Sequence, residues 1–318
     1  MEIIMHLYEE AEKISLFGIQ VYRFGFFVAL GLLAFAAVVS FLSWARRCKK
    51  GTAPLTILTS ILLGGLCSRL GFCLMDQELG SMLPVSSWFR ITGGGWSMMT
   101  LVGGVLLAAW ISAKILKEKT NTVLDLAACG LPAFIALERV GENCIPDFDY
   151  SRPLESTFLN NTFLAYEEFG SYYLATFRLA TIVMLVLFAV LMADMIRSHR
   201  DGRTCQLFLV LFGGCSVILE SLRYDSFLSL HFIGLEHVLA AVILAAGVIW
   251  IAATVKGRSR RTALAAVISV FAAVAVAVGI EFALDRTGMN RVLLYVLYVM
   301  VMAVPVTLAL IARREERN

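Results

Sequence analysis

Long apolar runs divided by short polar joints give this chain its rhythm. Residues 24–44, 53–75, 97–115, 122–138, 173–196, 205–221, 236–254, 262–280 and 291–312 are each almost continuously apolar. A helix needs about 20 residues to cross a hydrocarbon core of about 30 Å, and helical hydrogen bonding satisfies the backbone inside that core. The pattern predicts an all-α, polytopic membrane helical bundle of about nine transmembrane helices.

The joints alternate in charge, and that alternation adds an orientation. Arg46, Arg47, Lys49 and Lys50 follow the first run; Lys114, Lys117 and Lys119 the third; Arg197, Arg200 and Arg203 the fifth; Lys256, Arg258, Arg260 and Arg261 the seventh; Arg313, Arg314 and Arg317 the last. Short loops rich in Lys and Arg stay on the cytoplasmic side. The amino terminus and the loop 139–172 are therefore expected outside and the carboxyl terminus in the cytoplasm. The opening residues are acidic and lack the basic start, apolar run and cleavage site of a signal peptide, so they are expected to lie as a short amphipathic segment on the outer surface.

Composition agrees with the pattern: 59% of residues are hydrophobic and 16% charged, far from the balance of a soluble domain. The net charge of +3 follows from the basic joints and points to anionic lipid head groups, with no nucleic-acid partner. Seven cysteines, at 48, 67, 73, 129, 144, 205 and 215, form no Cys-x-x-Cys pair and have no histidine at metal-ligand spacing. Neither a disulfide framework nor a metal is expected.

Charge at membrane depth is costly, about 2.5–3.5 kcal/mol for an Arg near the bilayer centre, so it marks candidate chemistry. Arg69 lies inside the second run among Gly64, Gly65 and Gly71, which permit close helix approach. Arg139 closes the fourth run, and Glu220, Arg223 and Asp225 close the sixth. Arg178, near the start of the fifth run, is expected to snorkel to water; Arg23 and Arg90 are expected at the interface; Glu220 and Arg223, three apart, are placed to pair with each other. Guanidinium forks suit phosphate oxygens, and the glycine-rich entry 91–104 offers backbone N–H groups at a helix start. Together these residues suggest a site for a phosphate-bearing lipid near the outer leaflet.

The order and spacing of "GIQVYRFGFFVALG", "LLGGLCSRLGFCL", "GGGWSMMTLVGGV", "LDLAACGLPAFIALERVGENC", "SRP" and "LESLRYD…FIGLEHVLA" resemble the prolipoprotein diacylglyceryl transferase family across about residues 14–255. The resemblance implies a diacylglyceryl-transferase-like membrane domain at 1–255, with two additional helices at 256–318. It implies a bacterial cell-membrane enzyme that moves the diacylglyceryl group of phosphatidylglycerol to the lipobox cysteine in the signal peptide of a preprolipoprotein. No cofactor and no metal are implied. By the same resemblance Arg139, Asn143, Glu220 and Arg223 would be catalytic, and Tyr22, Arg69, Gly141, Arg152 and Gly234 would bind substrate.

This chain departs from the family's pattern at several positions. Met98 stands where the family has a histidine, and Met99 and Thr100 stand for the two glycines that follow it. Phe24 stands for a tyrosine, with Tyr22 two residues away; Ser216 stands for an arginine, and Glu138 for a glycine. Asn143 matches the family's asparagine if Glu142 is a one-residue insertion; without that insertion, Glu142 takes the place. Methionine cannot carry a proton, which leaves His231, His237, Glu138 and Glu142 as replacement bases. His231 is the one named here, because its ordinary pKa is near neutral.

The expected function is diacylglyceryl transfer, and the alternative is a non-catalytic, lipid-binding paralogue that has lost the chemistry. A transporter would show inverted repeats and broken helices, and the sequence has neither. The loop acids Asp147 and Asp149 are expected to be solvated, Arg152 to lie over the mouth of the site, and 155–172 to cap the outer surface. Glu281, Asp285 and Arg286 read as an outer turn with pairing charges. The charge pattern makes one directly measurable prediction. A fluorescent protein fused after Asn318 should glow, and alkaline phosphatase at the same place should stay inactive; active phosphatase there reverses the orientation.

Overall fold

The computed structural model describes residues 13–16, 19–75, 88, 95–142, 151, 153–154, 157–168, 170–197, 200–223, 229–230 and 233–315. Among them are nine helices: α1 (Arg23–Ala45), α2 (Thr52–Met75), α3 (Met98–Leu116), α4 (Thr120–Glu142), α5 (Thr176–Arg197), α6 (Arg203–Leu222), α7 (Leu235–Thr254), α8 (Arg258–Arg286) and α9 (Arg291–Glu315). Eight of them, all but α4, are long and apolar enough to cross a membrane. The protein is a multi-pass, helical membrane protein.

Among the described residues three two-stranded antiparallel hairpins interrupt the helices: β1 (Lys13–Leu16) with β2 (Ile19–Tyr22), β3 (Ala165–Glu168) with β4 (Ser171–Leu174), and β5 (Ser229–Leu230) with β6 (Ile233–Gly234). Of the opening residues 1–18, expected as an amphipathic segment, Lys13–Leu16 form β1 and the others lie outside the described residues, as do Arg90, Cys144, Asp147 and Asp149.

Contacts gather in two units. The described residues within Met1–Thr204 and Leu222–Phe227 form one, and those within Cys205–Ser221 and Leu228–Asn318 form the other. In the first, α4 is the central element: it buries 16 of its 23 residues and packs against α1, α3 and α5. A helix screened by protein on most sides needs less apolar surface than one facing lipid. That screening is how α4 accommodates Asp125, Glu138, Arg139 and Glu142. At its other end Asp125 accepts the Gly202 backbone N–H at 2.7 Å, which ties the connection after α5 to α4.

Small residues set the helix spacing. A Cβ on Gly31 of α1 would lie 2.9 Å from the Phe134 carbonyl oxygen, and one on Gly130 of α4 would meet the Phe35 ring at 2.6 Å. Between α2 and α3, a Cβ on Gly104 would fall 2.7 Å from the Leu63 carbonyl oxygen and 2.8 Å from Cys67 Cβ. In lipid the hydrophobic effect does not press helices together, so such close backbone approach supplies the van der Waals contact that does. Polar stitches add to it: the Thr59 and Ser112 hydroxyls bond at 2.8 Å, and Ser68 Oγ donates to the Ser97 carbonyl at 2.8 Å.

Arg178, expected to snorkel, donates to the Phe163 carbonyl at 2.8 Å and stacks over the Phe163 and Phe177 rings. It thereby fastens the β3–β4 hairpin to the start of α5. That hairpin occupies the stretch expected as a cap. Its strand β4 takes a further hydrogen bond, from the Leu174 N–H to Ser151 Oγ at 2.8 Å.

In the second unit, α7, α8 and α9 pack on one another, and Gly213 of α6 admits the backbone of Leu244. Its interior holds a polar cluster. Tyr298 Oη and His237 Nε2 are 2.5 Å apart, and His237 Nδ1 lies 3.7 Å from Glu281 Oε1, all three side chains being buried. Glu281 therefore belongs inside α8 and not to the expected turn, whereas Asp285 and Arg286 do pair, at 3.2 Å. Placing a branched side chain at the α2–α3 contact should cost stability. Gly104→Val should lower the melting temperature in detergent, by the equivalent of about 1–3 kcal/mol of overpacking. Gly103→Val, where a Cβ meets nothing within 4 Å, should leave it unchanged.

Candidate functional site: a buried guanidinium–carboxylate cluster

The last turn of α4 carries Glu138, Arg139, Gly141 and Glu142. Helical spacing sets Arg139 and Glu142 three apart on one face, and Arg139 Nη1 donates to both Glu142 oxygens at 2.9 Å. Arg223, 81 residues further along the chain, donates from Nη2 to Glu142 Oε1 at 2.8 Å. Arg139 and Glu142 are 7% and 5% exposed, so these are charges withdrawn from water. Buried charge persists only when paired and hydrogen-bonded, and Glu142 here answers two guanidinium groups at once.

The backbone also shapes this balance. A helix C-terminus favours a cation and disfavours an anion, so Arg139 sits well in the last turn and Glu142 does not. The two arginines offset that disadvantage for Glu142.

Glu138 joins the cluster on different terms. Its Oε2 lies 3.6 Å from Arg139 Nε, within ion-pair range, yet it is buried and accepts no hydrogen bond among the described residues. Its side chain is 14% exposed. Counting formal charges, Arg139 and Arg223 balance Glu138 and Glu142.

Gly141 keeps the site compact. A Cβ there would approach Phe27 Cβ to 2.9 Å and Phe24 to 3.3 Å, so its glycine lets α1 press against the end of α4. The close approach is to a neighbouring helix. Phe24, which stands for the family's tyrosine, is part of that contact and half-buried.

Arg69 is 6% exposed and makes a separate set of bonds, Nε to the Trp88 carbonyl at 3.2 Å and Nη1 to the Gly95 carbonyl at 3.0 Å. Its guanidinium lies 6.0 Å from the Phe72 ring centroid. The backbone at Gly95 has φ +73°, and its hydrogen-only side lies against the Phe72 ring. Ser97 then caps α3, accepting the Thr100 N–H at 3.2 Å, while its own N–H bonds the Ser68 carbonyl at 3.1 Å. Arg69 thus holds the glycine-rich entry against α2. Met98 is half-buried and Met99 buried just past that cap.

Tyr22 ends β2 before α1, is 41% exposed and takes the Lys13 ammonium 5.1 Å above its ring. Glu220 is half-buried near the end of α6 and Ser216 is buried one turn earlier, both in the second unit. Gly234 precedes α7 with extended backbone. Asn143, Arg152 and His231 lie outside the described residues. Among the described residues no three His, Cys, Asp or Glu side chains gather as a metal site would require, and the six described cysteines are unbridged.

Sequence reasoning ranked Arg139 and Arg223 together and named Glu138 and Glu142 as possible bases, but did not foresee that Glu142 pairs with both arginines. The available signal was acids at i−1 and i+3 from a membrane-depth arginine. The buried His237–Tyr298–Glu281 cluster was missed because Glu281 and Tyr298 lie 44 and 61 residues after His237, and the three stand on three helices.

The described residues thus form a helical membrane protein whose α4 ends in a buried cluster of Glu138, Arg139, Glu142 and Arg223. The sequence matches the prolipoprotein diacylglyceryl transferase family over residues 12–253, and the chain belongs to that family of lipoprotein-modifying transferases. The match stops at the end of α7, so α8 and α9 lie beyond it. No curated protein matches the chain. Removing the shared carboxylate tests the electrostatics of the cluster. Glu142→Ala leaves two buried cations facing each other and should destabilise by about 3–5 kcal/mol, read as lost thermal stability in detergent. Glu142→Gln, which keeps hydrogen-bond acceptance, should lose less.

Proposed function

We propose that the protein transfers the diacylglyceryl group of phosphatidylglycerol to the lipobox cysteine of a preprolipoprotein at the outer half of a bacterial cytoplasmic membrane. Family membership supports the class of reaction. The observation that carries the reading is the convergence of Arg139 and Arg223, from distant parts of the chain, on one carboxylate. Two guanidinium groups that can share a carboxylate can share a phosphate, whose oxygens match the same donor forks.

In the proposed reaction a cysteine thiolate attacks the glyceryl carbon attached to the phosphoester oxygen, and glycerol phosphate departs. Arg139 and Arg223 hold the charge that grows on the departing phosphate, an effect strongest where water is excluded. Helix α4 runs without interruption to Glu142, which supports the alignment in which Glu142, three residues after Arg139, takes the asparagine's place. Arg69 keeps the entry to α3 in position. Asn143 and Arg152 follow the cluster in sequence and are assigned to the lipid head group. Glu220, Tyr22 and Gly234 are assigned to the same reaction by family correspondence, with His231 as a further base. The orientation, amino terminus outside and carboxyl terminus in the cytoplasm, follows from the basic joints. The proposed division sets the transferase domain at 1–255 and the added helices at 256–318.

A second reading has its own support. Glu142 already neutralises the cations that a phosphate would need, and Met98 brings no proton-transfer group, which favours a paralogue that binds lipid without transferring it. Expression in cells depleted of their own transferase decides between them. Conversion of a preprolipoprotein to its lipid-modified, faster-migrating form supports transfer; no conversion by folded, inserted protein supports the paralogue. In the converting chain, Arg139→Lys should slow transfer about ten- to a hundredfold, since each charged hydrogen bond contributes about 1.5–3 kcal/mol.

A further inference from the structure

We propose that Glu138 accepts the proton of the attacking cysteine thiol. The assignment rests on the transferase reading and names a catalytic group within the same site.

Transfer requires a proton acceptor beside the cations that hold the phosphate, because the thiolate and not the thiol is the nucleophile. Of the two carboxylates in the cluster, Glu142 is occupied. It accepts two hydrogen bonds from Arg139 and one from Arg223, and protonating it would break the pairing on which both buried cations depend. Glu138 is differently placed. It precedes Arg139, its Oε2 is buried without a hydrogen bond among the described residues, and its nearest cationic atom, Arg139 Nε, is 3.6 Å away. A buried carboxylate oxygen with no donor has lone pairs ready for a proton, and burial removes the competition of water. The charged groups facing it are Arg139, Glu142 and Arg223.

The step balances as follows. The thiol proton passes to Glu138 Oε2, and the sulfur lone pair forms the S–C bond to the glyceryl carbon. The C–O bond to phosphate breaks with its electron pair leaving on glycerol phosphate, held by Arg139 and Arg223. Glu138 then returns its proton to the released phosphate or to water. The net reaction exchanges a phosphoester for a thioether, with no change in oxidation state. Arg139, next in sequence, lies 3.6 Å from this carboxylate and holds the phosphate as it departs, so the acid–base and electrophilic roles lie on adjacent residues.

The test uses the full chain in phosphatidylglycerol vesicles, with a synthetic lipobox peptide as acceptor. Glu138→Gln should lower kcat at least about a hundredfold, the usual range for losing a general base, while the KM for peptide changes less than about threefold. Glu138→Asp should keep measurable turnover, with the acid limb of its pH–rate profile displaced. Glu138→Gln should have no such limb in its residual rate. A Gln variant as fast as the parent overturns the assignment and leaves the transferase reading standing. A parent chain that binds phosphatidylglycerol and transfers nothing overturns both. If Glu138→Gln fails to fold, the Asp variant decides: an acid limb identical to the parent's refutes the proposal.

Discussion

Everything at the end of α4 depends on a carboxylate, Glu142, shared by two buried guanidinium groups. Arg139 and Arg223 come from parts of the chain 81 residues or more apart, and neither could be withdrawn from water without an anionic partner. The shared carboxylate therefore has a structural consequence and a chemical one. It draws the segment after α6 to the end of α4, and it keeps two phosphate-matching cations together in a screened place. The same contact offsets the two guanidinium charges with a carboxylate of the protein itself.

That cluster requires α4 to be surrounded by protein, and the surrounding is achieved with small residues. Gly31, Gly130 and Gly141 let α1 lie close along α4, while Gly64 and Gly104 do the same for α2 and α3. The glycines do not speak to chemistry directly. Gly141 brings α1 against the turn that carries Glu138, Arg139 and Glu142, and burial there strengthens each electrostatic interaction.

The second unit shows the same economy in a different form. His237, Tyr298 and Glu281 place polar groups from α7, α8 and α9 in one buried contact. Two of the three residues lie on helices beyond the family match. The added helices are thus joined to α7 by polar contact as well as by apolar packing, which accounts for Glu281 being buried five residues before the end of its helix.

The apolar runs were enough to determine that this is a helical membrane protein, because the length of a bilayer-crossing helix and the need to satisfy its backbone leave few other solutions. The order of short motifs sufficed for the family. Charges at membrane depth drew attention to Arg69, Arg139 and Arg223, since the cost of burying each demands a reason. What the sequence could not decide was partnership. Nothing in the spacing showed that Arg223 bonds Glu142, or that Arg69 bonds the backbone carbonyls at Trp88 and Gly95. Pairings of that kind depend on which helix faces meet across tens of residues, and periodicity along one helix carries no record of them.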